Sequence, residues 1–213
     1  MPLPDPHRPP PAVITSRQNP IVKHFQSVRL GRSPGLIFLE GPRLVGEAFR
    51  TGAPIESFAA SQSLVLEGEC LEAMRSAERA FRVSAPVLRA IADVEEPRGL
   101  AAIVGRPNWD WSAILSRHPL PIVILDGIQD PGNAGTIVRT AEAAGAAGLL
   151  TTPGTAGLFG PKAIRGSAGS VLRVPSLEHR PVPEILERLD AGRYGLLAAA
   201  SAGGPGARQY TDV

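Results

Sequence analysis

PIVILDGIQDPGNAGTIVRTAEAAG, Pro121 to Gly145, is the stretch that decides the fold. Ile122 to Leu125 is a fully apolar run of the kind a buried parallel strand needs. A loop rich in glycine and proline follows, and then an alanine-rich helix. That helix is expected from Asn133 to Ala144, with Asn133 where an N-cap would stand and Gly145 where a C′ glycine would. Ile137, Ala141 and Ala144 form its inward stripe. Thr136, Arg139 and Glu142 fall on another face, so Arg139 is expected to project from the unpacked side, near the first turn and the carboxyl end of the strand. Ligands of open α/β sheets bind outside those ends. Two readings follow. The stretch is the floor of an active site, or it is an ordinary strand-to-helix connection. In the second case Asn133 only caps, and Arg139 pairs with Glu142 three residues on, worth a few tenths of a kcal/mol. Neither a Walker loop nor a G-x-G-x-x-G fingerprint is present to explain the glycines.

A second stretch, FGPKAIRGSAGSVLRVP from Phe159 to Pro175, raises the same question. Pro161 opens a short helix that ends near Ser167. Lys162 and Arg165 lie three apart, hence on one side of it. Gly166, Ser167, Ala168 and Gly169 are small enough for a backbone to approach a ligand or another segment of the chain.

Outward from these stretches, strands alternate with helices along the whole chain. Asn19-Pro20 reads as an N-cap and first helical residue, with Ile21, Val22, Phe25 and Val28 as the apolar stripe. Leu36–Glu40, Ile55–Ala60 and Leu100–Val104 read as strands. Arg43–Arg50, Glu67–Ala80 and Val87–Ala92 read as helices, with Leu71, Met74 and Ala77 inward in the second. Arg106 to Pro121 reads as a linker with a short helix near Trp109–Leu115. A strand at Ala147–Leu150, a helix at Pro183–Asp190 and a strand at Tyr194–Ala200 complete a second α/β unit. No internal repeat is present.

Composition excludes several classes. Of 213 residues, 43% are hydrophobic and 20% charged, a globular balance. No apolar run approaches the roughly 20 residues of a membrane span, and MPLPDPHRPPPAV lacks the apolar core of a signal peptide. Residues 1–12 are expected to be a disordered leader, and the chain to be cytoplasmic. Cys70 is the single cysteine, read as a small buried hydrophobe. His7, His24, His118 and His179 show no ligand spacing, so no metal is expected. The net charge is +2, but residues 1–50 carry seven basic against three acidic side chains, and residues 51–100 carry five against eight. Nearly all the cations are arginine, whose fork suits phosphate, and this favours a nucleic-acid partner.

Together, DPGNAGTIVRTAEAAG and GPKAIRGSAGSVLRVP resemble the first two signature motifs of the SpoU/TrmH family, RNA ribose 2′-O-methyltransferases of the SPOUT superfamily. The family pattern D-P-x-N-x-G-x-I-x-R-T-A is matched at Asp130, Pro131, Asn133, Gly135, Ile137, Arg139, Thr140 and Ala141. ITSRQNPIVK, FLEGPRLVGEA and EEPRGLAAIV resemble the ribosomal-protein-like substrate-binding module common in that family. The resemblance implies an α/β fold of two domains. Residues 13–106 would be the RNA substrate-binding domain, 107–120 a linker, and 121–213 a SPOUT domain of the trefoil-knot type. It implies S-adenosylmethionine as cofactor, RNA as partner (ribosomal RNA rather than transfer RNA), and a homodimer when complete.

For the site, the resemblance implies Arg139 at the catalytic centre with Asn133 in support. It implies contacts to the RNA backbone from Lys162 and Arg165, and, with the charge pattern, from Arg17, Asn19, Lys23 and Arg43. Ala199, Ala200 and Ser201 would form one wall of the cofactor site. A guanidinium does not readily give up its proton. Arg139 therefore suits binding of the phosphate beside the target ribose, orientation of the hydroxyl and stabilisation of a developing oxyanion, better than proton abstraction. The family's third motif, a G-N-E-G-like turn and the segments after it, has no counterpart before Val213. The domain is accordingly expected to be C-terminally truncated, and the activity of these 213 residues alone is left open. The alternatives are a catalytically inactive RNA-binding protein and a plain α/β domain for a small molecule.

Overall fold

A computed structural model describes residues 13–189 and 194–199. It divides into two compact units, one running to Arg180 and the other starting at Pro181.

The first unit contains two sheets. The first sheet is built from β1 (Val13–Ile14), β2 (Leu36–Glu40), β3 (Ile55–Ser61), β4 (Arg79–Val83) and β5 (Leu100–Gly105), in the order β1-β4-β3-β5-β2. β4 runs parallel to both β1 and β3, and β5 runs antiparallel to both β3 and β2. Successive side chains of a strand point to opposite faces, and the two faces of this sheet bury different cores. Ile37 and Leu39 of β2, with Leu100, Ala102 and Val104 of β5, enter one core, while Phe38, Ala101 and Ile103 enter the other.

Helices α1 (Pro20–Arg29) and α4 (Ala85–Ile91) cover the second face, with the Phe25 and Phe38 rings edge to face at 6.4 Å. As its dipeptide suggests, α1 is capped by the Asn19 side chain, which accepts from the Ile21 amide at 3.0 Å. Helices α2 (Pro42–Arg50) and α3 (Gly68–Ser76) cover the first face.

The helix expected over Glu67–Ala80 stops at Ser76, because the chain after Ala77 is taken up as strand β4. RAFRV is short and carries two arginines, so nothing local marks it as a strand. Pairing with both β1 and β3 makes it one. Ala73 and Ala77 are buried, and Leu71 and Met74 are half-buried, so the inward stripe is largely as read. Cys70 is half-buried rather than buried, and burial pushes its thiol pKa up, with Glu69 adding to the effect.

The second sheet is parallel, in the order β6 (Ile122–Leu125), β7 (Gly148–Thr151), β8 (Ser176–Leu177). Helix α5 (Trp111–Leu115) precedes it, capped by Asp110, and sends Ile114 fully into the core against Gly148. Helix α6 (Pro131–Ala143) joins β6 to β7. Helix α7 (Pro161–Ser167) and a single 3-10 turn (Ser170–Leu172) lead from β7 to β8. Leu125, Ala134, Val138, Leu149, Ile164 and Val171 belong to the same core as Leu39 and Val45.

In the second unit, α8 (Val182–Leu189) buries Ile185 and Leu189. The strand expected at Tyr194–Ala200 is not formed: residues 194–199 are irregular, and Gly195 to Ala199 are exposed without a partner strand among the described residues. The expected leader at 1–12, together with Ala200 and Ser201, lies outside the described residues. No helix among the described residues is long and apolar enough to cross a membrane.

Candidate functional site

The two suspicious stretches meet. Helices α6 and α7 pack backbone to backbone, and glycine makes this possible. A Cβ at Gly135 would lie 2.2 Å from the Ala163 carbonyl oxygen and 2.9 Å from the Ser167 nitrogen, and one at Gly166 would lie 2.8 Å from the Gly132 carbonyl oxygen. The small residues of GPKAIRGSAG therefore admit another segment of the chain rather than a ligand. Ala168 closes α7 in the left-handed region, at φ 52°.

The local geometry of α6 departs from expectation. The helix starts at Pro131, and Asp130, not Asn133, is its cap: the Asp130 carboxylate accepts from the Asn133 amide at 2.8 Å. Proline at the first helical position moves the start two residues earlier. Asn133 thus sits in the first turn, with its side chain exposed and without a hydrogen bond among the described residues. Asp130 also pairs with Lys162 of α7, and this pair, followed by the Asn133 amide, holds the Asp130 carboxyl below its ordinary pKa. The buried stripe is Ala134, Gly135, Val138 and Ala141, with Ile137 half-buried, while Ala144 is exposed.

Arg139 is exposed, as expected, but it stands in the third turn of the helix, about 12 Å from the start at 1.5 Å per residue, not near the first. It follows Gly132 by seven residues, so it continues the stripe along which α7 makes its contact. Asn133 lies about 9 Å back along the axis and about 120° around it, at the other edge of the exposed face.

Arg139 has no ion pair among the described residues. The anticipated partner, Glu142, is taken by Arg173. The Arg173 Nε donates to Glu142 Oε1 at 2.5 Å and its Nη2 donates to Oε2 at 2.8 Å, while Nη1 reaches Glu47 of α2. Burial, and then Arg43 nearby, lower the Arg173 pKa. Motif spacing gave no signal for Arg173, because its partners lie 31 and 126 residues away.

The remaining candidates separate into two groups. Arg165 pairs with Asp93, whose backbone amide donates to Glu40 Oε2 at 2.9 Å. Burial is the main cause that raises the Glu40 pKa, and its Oε1 has no hydrogen-bond partner among the described residues. Arg43, exposed in the first turn of α2, is on the α6 side of the first sheet. Arg17 and Asn19 precede α1 and Lys23 lies in its first turn, on the opposite face. Asn19 is occupied as a cap.

At the carboxyl ends of β6 and β7 the hydroxyls bond within the fold. Thr152 donates to Asp126 at 2.6 Å, Thr155 donates to the Leu125 carbonyl at 3.0 Å, and Thr151 accepts from the His179 amide at 2.9 Å. No group of three or more potential metal ligands occurs among the described residues. Ala199, proposed for the cofactor wall, is exposed.

Residues 121–212 match the SpoU rRNA Methylase family, and residues 19–102 match the MRM3-like substrate binding domain. The chain is 31% identical over 196 residues to an uncharacterised tRNA/rRNA methyltransferase of Synechocystis, covering 88% of this chain and 69% of that protein. It is 31% identical to the mitochondrial rRNA methyltransferase 3 of Xenopus tropicalis, covering 85% of this chain but only 45% of the relative. It is 25% identical to the 23S rRNA (guanosine(2553)-2′-O)-methyltransferase of Bacillus subtilis, covering 84% and 69%. The structure of the SpoU methyltransferase AviRb of Streptomyces viridochromogenes with AdoMet superposes with a TM-score of 0.71 at 27% identity, covering 83% of this chain and 69% of that one.

Proposed function

The chain belongs to the SpoU rRNA methylase family, and from that premise we propose that it takes part in S-adenosylmethionine-dependent methylation of a ribose 2′-hydroxyl in ribosomal RNA. The observation that carries this reading is Arg139: a family-motif guanidinium, exposed on α6, with no carboxylate of its own among the described residues. Residues 13–106 present the RNA, residues 121–213 belong to the methylating domain, and the complete protein works as a homodimer in the cytoplasm.

S-adenosylmethionine supplies an electrophilic methyl group to the ribose oxygen. The hydroxyls at the carboxyl edge of the second sheet are already bonded inside the fold. Thr152 and Thr155 thereby commit their protons inside the fold, while Thr151 only accepts, and the roles below concern only the chain's contacts with the ribose and its phosphate. The Arg139 guanidinium holds the phosphate beside the target ribose and fixes the 2′-hydroxyl in reach, which removes much of the entropic part of the barrier. It then stabilises the charge that develops on the oxygen as the hydroxyl proton passes to solvent water. Asn133, exposed at the other edge of the same helix face, holds the ribose or the neighbouring phosphate. Arg43, on the same side of the first sheet, extends the track for the RNA backbone. Lys162 and Arg165, paired in the free chain, join it when phosphate displaces Asp130 and Asp93. Arg17, Asn19 and Lys23 serve RNA beyond the site.

The test is methyl transfer from labelled S-adenosylmethionine to ribosomal RNA, with ribose methylation read as resistance of one phosphodiester to alkali, using the full protein and its Arg139→Ala variant. Loss of transfer with RNA binding largely retained is the expected result. Unchanged turnover removes Arg139 from the mechanism. Transfer to a base rather than to the ribose overturns the reaction class.

A further inference from the structure

Arg139 and Glu142 are three residues apart on one helix, about 60° apart around its axis, the spacing at which opposite charges normally pair. They do not pair here, because Arg173 donates to Glu142 through a two-nitrogen fork. Two of its nitrogens engage both oxygens of Glu142, and the third engages Glu47 of α2. Glu47 is in turn held by Arg50. The Glu142 side chain is 30% exposed and Arg173 36%, so the fork is partly shielded and does not depend on long side chains meeting in open water. A bidentate guanidinium–carboxylate pair is also geometrically specific.

We propose that Arg173 is a positioning residue that keeps Arg139 available for RNA by sequestering Glu142. Without it, the carboxylate is free to swing one turn back along α6 and neutralise the guanidinium that the reaction needs. The proposal rests on the reading of Arg139 given above, but the sequestration can be tested separately from it.

The experiment follows phenylglyoxal modification of Arg139, resolved from the other arginines by peptide mass, in the wild-type chain and in the Arg173→Gln, Glu142→Gln and Arg173→Gln/Glu142→Gln variants. An unpaired guanidinium reacts faster than a paired one. Arg173→Gln is expected to slow labelling of Arg139 by about twofold, the ratio corresponding to one helical i,i+3 ion pair. Glu142→Gln leaves the wild-type rate, and the double variant returns to it. A purely structural role for Arg173 predicts no such rescue, because the link to Glu47 is lost in the double variant too.

Unchanged labelling in Arg173→Gln overturns the proposal, and so does a double variant as slow as the single. Should Arg173→Gln fail to fold, Arg173→Lys is compared with Arg173→Lys/Glu142→Gln in the same way, because lysine keeps the charge and loses the fork. Labelling that follows this pattern while Arg139→Ala still methylates RNA leaves the sequestration standing and removes only the catalytic role of Arg139.

Discussion

Replacing Gly135 by alanine sets two physical effects against each other. Inside a helix, alanine is favoured over glycine by about 0.5–1 kcal/mol, because it loses less backbone entropy. At this position, however, the new Cβ would stand 2.2 Å from the Ala163 carbonyl oxygen and 2.9 Å from the Ser167 nitrogen, where ordinary contact begins at 3.4 Å. The shortfall at the oxygen, 3.4 minus 2.2, is about 1.2 Å, and both obstacles are main chain of α7, which has no side-chain rotamer to change. Helix α7 must retreat as a body. Overfilling a packed core costs about 1–3 kcal/mol. Taking the upper end for a backbone obstacle and subtracting the helix-propensity gain leaves a net loss of roughly 2 kcal/mol. At roughly 2–4 °C per kcal/mol for a chain of this size, Tm falls by about 4–8 °C. The assay is denaturant unfolding followed by circular dichroism, with Gly157→Ala as the control, where the nearest atom is Glu178 Oε1 at an ordinary 3.6 Å. A Gly135→Ala protein as stable as wild type, or more so, refutes the close approach of α6 and α7, since propensity alone predicts that result.

Three further outcomes are expected. The Glu40 carboxyl is raised above its ordinary pKa, mainly by burial, so its contribution to stability is present below about pH 4.5 and is lost as pH rises through the raised folded value. Glu40→Gln should remove that loss, so that its unfolding midpoint gains on wild type between pH 4.5 and 8; parallel curves would disprove the assignment. Asp130 is lowered, chiefly by Lys162, so its contribution is complete above its ordinary value near 3.8 and is lost as pH falls through the lower folded value. Asp130→Asn should therefore flatten the acid limb of the stability curve, measured as midpoints at pH 5 and pH 3, and an unchanged acid limb counts against the Lys162 pair. If Lys23 contacts an RNA phosphate, Lys23→Gln should lower the slope of log affinity against log salt by about one; an unchanged slope puts Lys23 outside the RNA track.

Much of the fold was legible because its signals are local. Asn19-Pro20 has the composition of a capped helix start and forms one, and Ile122–Leu125 forms the parallel strand its composition suggests, although only Leu125 of it is fully buried. Two of the failures share one cause, which is strand pairing. Arg79–Val83 is a strand only because β1 and β3 lie on either side of it, and the stretch after Tyr194 pairs with no strand among the described residues. Asn133 resembles a cap, but Asp130 followed by proline provides an earlier start. At the site, exposure of Arg139 was legible from the 3.6-residue period, whereas its distance from the strand end depended on where the helix begins.

The sequence by itself determined most of the alternation of strands and helices, the two motifs and the family to which they belong, because each is carried by residues within a few positions of one another. Tertiary structure alone decided which charges meet. A helix period names the neighbours three and four residues away, so it offered Glu142 to Arg139. Packing of α2, α6 and the turn after α7 brought Arg173 to Glu142 and Glu47 instead. The same packing gave Lys162 to Asp130 and Arg165 to Asp93, and left Arg139 with no carboxylate among the described residues. A two-nitrogen fork on a partly shielded carboxylate outcompetes a single exposed helical pair, and no local pattern in the chain records that competition.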